Sequence, residues 1–165
     1  MLKQPPTRAF YVRMYDVNPE AAEAGLKRLK KQLARDAEKG KRTETEVKSV
    51  INRISISQTL EEAEHADIVI EAIAENMAAK TEMFKTLDRI CPPHTILASN
   101  TSSLPITEIA AVTNRPQRVI GMHFMNPVPV MKLVEVIRGL ATSEETALDV
   151  MALAEKMGEN SGRSQ

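Results

Sequence analysis

The sequence predicts an α/β fold, a parallel sheet with helices on its faces. Three observations carry that expectation. Strand-like and helix-like segments alternate along the chain, the pattern of parallel strands joined by right-handed crossovers. Segments 66–74 (ADIVIEAIA) and 95–99 (TILAS) are almost continuously apolar, as strands covered on both faces are. Between them, Met77, Phe84, Leu87 and Ile90 recur at helical spacing, and Pro92-Pro93 stops the pattern.

The elements follow in order. Residues 1–9 read as an irregular lead, since Pro5-Pro6 fits neither a helix interior nor a central strand. Segment 10–17 (FYVRMYDV) is rich in strand formers. Asn18 then offers an N-cap and Pro19 suits the first helical position, which needs no amide donor. The helix over 19–39 places Ala22, Leu26, Leu29, Leu33 and Ala37 on one face, with Gly40 as its stop. Thr43 and Glu46 form a capping-box pattern that opens a second helix, striped by Val47, Val50, Ile51 and Ile54. A short strand over 54–57 and a helical or looped piece over 60–65 lead into strand 66–74. After strand 95–99 the expectation is a short helix over 105–112, strands over 118–124 and 133–137, and a helix from 143 to 157 ending at Gly158. The tail 159–165 is polar. The organisation expected is one sheet domain over 10–158.

Composition narrows the function classes. The chain has 165 residues, 42% of them apolar, enough for a buried core. Its 22 basic and 22 acidic side chains balance, which argues against nucleic acid or an anionic membrane as partner. With no Trp, two Tyr and three Phe, platforms for base stacking are scarce. One cysteine, Cys91, makes neither an internal disulfide nor a cysteine metal site, and no metal is expected. No apolar run approaches the roughly 18–20 residues of a membrane span. The start MLKQPPTRAF lacks the apolar stretch of a secretory signal, so a cytoplasmic location is the expectation. Of six glycines, none precedes Gly25.

Three constellations bear chemistry. Asp16 ends the first strand, where dinucleotide-binding folds place an acid that accepts from the adenosine ribose hydroxyls. By itself it reads more often as a turn aspartate. Asn100-Thr101-Ser102-Ser103 follows strand 95–99, and ligands of open α/β sheets bind at the carboxyl ends of strands. By itself it reads equally as capping residues before Pro105. His123 ends a strand and Glu135 lies in the next. An imidazole serves as general base or acid near neutral pH, and a carboxylate on its other nitrogen fixes the tautomer. A structural histidine is the commoner meaning of such a pair. His65, His94 and Cys91 offer nothing sharper.

Taken together, the strings DIVIEAIAENMAAK, ILASNTSSLPITEIA and IGMHFMNPVPVMKLVEVIRG, within residues 67–141, resemble the NAD-binding domain of the 3-hydroxyacyl-CoA dehydrogenases, the 3-hydroxybutyryl-CoA dehydrogenases included. Weaker similarity extends from about residue 12 to about 158. The resemblance implies a Rossmann-like domain and oxidation of L-3-hydroxyacyl-CoA to 3-ketoacyl-CoA with NAD, in fatty acid or butanoate metabolism. It implies His123 as general base, Glu135 as its orienting carboxylate and Ser102 at the substrate oxygen and cofactor. It further implies Asn126, Asp16, Glu75 and Lys80 as cofactor-binding positions. Among Lys27, Lys30 and Lys31, some would meet CoA phosphates.

The family begins with a strand and a G-x-G-x-x-G turn, about 20 residues before the ribose acid. Here that acid is residue 16, so the fingerprint has no counterpart. In the usual strand order 3-2-1-4-5-6 the first strand is central, so the expectation is an incomplete sheet with a gap and two open edges. The family's C-terminal helical domain is also expected to be lacking, since the match stops near Gly158. Partners are then an acyl-CoA substrate and either a second copy or a missing-domain partner. Two alternatives stand beside the enzyme: a non-catalytic remnant of it, and an interaction module pairing through its open sheet edge.

Overall fold

The structure is a computed structural model, and it describes residues 9–125 and 133–159. The expected lead and tail fall almost wholly outside these residues, and Asn126 lies outside them too. The fold is mixed α/β, with parallel strands and flanking helices. It divides into two units, Met1–Glu62 and Ala63–Gln165.

In the first unit, β1 (Val12–Met14) pairs in parallel with β2 (Ile54–Ile56), Val12 opposite Ile54. Two helices connect them, α1 (Pro19–Glu38) and α2 (Glu44–Asn52). Each helix starts where its capping residues dictate. The Asn18 side chain accepts from Glu20 N at 3.1 Å, with Pro19 next in line. The Thr43 hydroxyl accepts from Glu46 N, and Glu46 returns a carboxylate oxygen to Thr43 N. Gly40 follows α1 with φ +71°, the left-handed conformation that suits glycine at a helix end. Ala22, Leu33 and Val47 are the buried apolar residues of the two helices.

The second unit carries four strands in the order β3 (Ile68–Glu71), β4 (Ile96–Ser99), β5 (Val119–Phe124) and β6 (Val134–Arg138). The first three run parallel, with Glu71 opposite Ser99 and Ser99 opposite Gly121. Strand β6 is antiparallel to β5, which corrects the expectation of a wholly parallel sheet. The reason is chain length. Only residues 125–133 separate the two strands, and a parallel return needs about a dozen or more.

Strand β4 is buried along its whole length. On one face Ile96, Ala98, Ile120 and Met122 pack with Ala147 and Val150 of helix α5 (Glu144–Glu159). The two-residue period turns Leu97 and Val119 to the other face. Gly121 shares that face, where an added Cβ would lie 3.0 Å from Ile106 Cδ1 of helix α4 (Ile106–Ala111). Helix α3 (Met77–Ile90) buries Lys80, Phe84 and Leu87. Helix α5 continues through Gly158, expected as its stop, to Glu159.

β1 and β3 each have one hydrogen-bonded strand neighbour among the described residues.

Candidate active site

The carboxyl ends of β3, β4 and β5 and the facing strand β6 bring the polar residues of the second unit together. His123 and Glu135 are directly opposed across the antiparallel β5–β6 ladder. Their side chains meet, Nδ1 to Oε2, at 3.1 Å. A carboxylate oxygen only accepts, so Nδ1 is the donor of this bond. The imidazole is largely covered, at 23% side-chain exposure, while Glu135 is half exposed at 48%.

The loop after β4 is built by its own side chains. Asn100 N donates to Glu71 O at 2.7 Å, and Asn100 Oδ1 accepts from Phe124 N at 3.1 Å. The residue next to His123 is thus tied to the end of β4. Thr101 is buried, and its Oγ1 accepts from Leu104 N at 3.0 Å. Its hydroxyl donates to Glu75 Oε1, and Ser103 Oγ donates to the same oxygen at 3.3 Å. These bonds, the one from Thr101 foremost, hold the Glu75 carboxyl below the usual carboxylate range. Ser102, between them, is exposed.

Glu75 and the segment around Ser102 are therefore brought together, as are His123 and Glu135. Lys80 is placed differently from a cation waiting for a ligand. It is fully buried, and its Nζ donates to Glu71 Oε1 at 2.7 Å and to Ile73 O at 3.3 Å. Asp16 lies in the first unit, exposed just after β1, where its Oδ1 accepts from Asn18 N at 2.8 Å. Lys27, Lys30 and Lys31 are exposed on α1.

Sequence reasoning missed Glu71. Its carboxylate accepts from Lys80, from Ile73 N at 2.6 Å and from Ser99 Oγ at 2.6 Å, while 4% exposed. The signal was present: a glutamate inside an apolar strand and a lysine on the buried stripe of α3 imply each other, because unpaired buried charge is costly. Among the described residues, no cluster of His, Cys, Asp or Glu suits a metal ion.

Parallel strands with flanking helices and polar loops at the strands' carboxyl ends are the pattern of a dinucleotide-binding class of protein. The comparisons make this specific. The family model for the 3-hydroxyacyl-CoA dehydrogenase NAD-binding domain matches residues 6–161, and the chain belongs to that family. A relative from Deinococcus radiodurans, named "Probable 3-hydroxybutyryl-CoA dehydrogenase", is 48% identical over 90% of this chain and 53% of its own length. The 3-hydroxybutyryl-CoA dehydrogenase of Clostridioides difficile is 46% identical over 78% of this chain and 46% of its own. The crystal structure of 3-hydroxybutyryl-CoA dehydrogenase from Escherichia coli K12 superposes with TM-score 0.87 at 38% identity, over 90% of this chain and 31% of that one. The chain spans about half the length of the curated relatives it matches.

The family's cofactor is NAD. Within the second unit, the exposed Ser102 and the carboxylate of Glu75 offer hydrogen-bonding groups of the kind that hold a nicotinamide and its ribose. Its pyrophosphate normally lies on a glycine-rich turn, and the chain has no glycine before Gly25. In the second unit, α3 opens on Asn76, whose side chain caps Ala79 N at 2.9 Å.

Proposed function

We propose that this chain carries the general-base half of an NAD-dependent 3-hydroxyacyl-CoA dehydrogenase, oxidising the 3-hydroxyl of an acyl-CoA to a ketone. The observation that carries the reading is the cross-strand pair, His123 Nδ1 on Glu135 Oε2 at 3.1 Å, at the carboxyl end of β5. Nε2 takes the proton of the substrate hydroxyl as the C3–O bond becomes a carbonyl. Glu135 fixes the tautomer and stabilises the imidazolium that results. Bound NAD supplies the acceptor for the hydride leaving C3. Ser102, exposed on the β4–α4 loop, hydrogen-bonds the same substrate oxygen. Glu75 and Asp16 hold cofactor hydroxyls, Lys80 supports the cofactor side through the loop it fastens, and Asn126 belongs to the same proposed set. One or more of Lys27, Lys30 and Lys31 meets CoA phosphates.

The test is NADH oxidation with acetoacetyl-CoA by the 165-residue chain, followed by absorbance. Turnover that His123→Gln lowers by about a hundredfold or more supports the reading. Turnover unchanged in that variant refutes the assigned base.

A second reading has its own observation. β1 and β3 each have one strand neighbour among the described residues, and exposed apolar residues lie at β1 and its flanks (Tyr11 84%, Val17 81%) and at β3 (Ile70 36%, Ile73 36%). Such edges accept a strand from another chain, as in an interaction module or a non-catalytic remnant that needs a partner. Absence of NAD binding by calorimetry, with concentration-dependent oligomers in sedimentation, selects this reading.

A further inference from the structure

We propose that Glu71 is a positioning residue that couples the loop carrying Glu75 to the strand end carrying His123. The inference deepens the dehydrogenase reading and rests on it for the meaning of the two sites it joins.

One carboxylate organises three chain segments. Glu71 Oε1 accepts from Ile73 N at 2.6 Å and from Lys80 Nζ at 2.7 Å, and Oε2 accepts from Ser99 Oγ at 2.6 Å. Lys80 closes the loop between them by donating to Ile73 O at 3.3 Å. The β3–α3 turn is therefore held at both polar groups of Ile73, two residues before Glu75. On the other side, Ser99 brings in the end of β4, and Asn100 N donates to Glu71 O at 2.7 Å. Asn100 Oδ1 then accepts from Phe124 N, the residue after His123. A series of bonds runs from α3 through Glu71 and Asn100 to Phe124 N, on the residue that follows His123 in β5.

Burial makes the arrangement hold. Glu71 and Lys80 have side-chain exposures of 1% and 0%, so water does not compete for their bonds. A pair retained only for stability is replaceable: apolar substitution of both members is often neutral or stabilising. A pair retained for position is not, because Ile73 N and Ser99 Oγ then lose their acceptor. That difference separates the two roles.

The test is nitrogen-15 NMR of the full 165-residue chain with two variants, Glu71→Gln and Glu71→Leu/Lys80→Met. The double variant keeps the test open should the single one unfold, since it leaves no lone buried charge. Expected in both are amide exchange at Ile73 faster by about tenfold, the loss of one charge-assisted bond, and displaced signals for Phe124 N and the His123 ring nitrogens. Ile120 and Met122, in the core, keep their protection. Arg115→Lys, which destabilises the same unit away from this node, leaves the Phe124 and His123 signals in place. Wild-type signals at both in the folded double variant overturn the proposal, as do equal displacements in Arg115→Lys. Absence of turnover by the unmodified chain counts against the dehydrogenase reading alone, because none of these signals depends on activity.

Discussion

Arg115 makes five side-chain hydrogen bonds among the described residues of the second unit, and truncating it is the sharpest test of how that unit is held. It is 6% exposed. Its guanidinium bonds Asp88 Oδ1 at 2.7 Å and four main-chain oxygens: Asp88 at 3.0 Å, Cys91 at 2.8 Å, Pro92 at 2.5 Å and Thr95 at 3.2 Å. Three of these carbonyls lie at or just past the end of α3, where helices leave acceptors unpaired. Arg115 thus closes the helix and joins it to the start of β4. Arg115→Ala leaves Asp88 buried, at 7% side-chain exposure, beside orphaned carbonyls. Removing one member of a buried pair costs about 3–5 kcal/mol. Against a domain stability of about 5–15 kcal/mol this is a large share. With a urea slope of about 2 kcal/mol per M, a loss of about 4 kcal/mol lowers the midpoint by about 2 M. Far-UV circular dichroism in urea measures the shift, and amide exchange of Leu97 assigns it to this unit. Adding Asp88→Asn to Arg115→Ala recovers about 1–3 kcal/mol by removing the stranded charge. A midpoint shift below about 0.5 M for Arg115→Ala would refute the reasoning.

Two further outcomes follow from the packing and the loops. Gly121→Ala places a Cβ 2.9 Å from Ile137 Cβ and 3.0 Å from Ile106 Cδ1, so a neighbour must shift to admit it. The expected loss is about 1–3 kcal/mol, read as a lower urea midpoint. Thr101→Val removes the main bond that depresses the Glu75 carboxyl, so its titration, followed by carboxyl carbon-13 shift, moves up toward the ordinary value near 4.5. The sign is that of a depressed acid. In the unmodified chain Glu75 contributes stability above the ordinary value, lost as pH falls through its lower folded value, and Thr101→Val narrows that pH window.

The order of elements was legible because local chemistry enforces it. Asn18-Pro19, Thr43 with Glu46, and Gly40 mark helix ends through bonds made within a few residues, and each lies where its pattern placed it. The apolar run of β4 announced a strand buried along its whole length, whereas β3, expected to be covered on both faces as well, is only partly buried and leaves Ile70 36% exposed. The direction of β6 was not read, although the short connection 125–133 contained the answer. The His123–Glu135 pairing was foreseen as chemistry. Its register, one residue opposite the other, needed the ladder. Glu71 and Arg115 escaped because their partners lie in other elements: Ser99 is 28 positions from Glu71, and Asp88 is 27 from Arg115.

The sequence by itself determined the family and the alternation of strand and helix, since capping residues, apolar periodicity and specific strings are local properties of a chain. It also showed that no glycine precedes Gly25. Tertiary structure alone decided what the charged residues do. It buried Lys80 against Glu71 and gathered four carbonyls around Arg115. The physical reason is that burial and long-range pairing set the worth of a charge, and neither is fixed until the chain has folded.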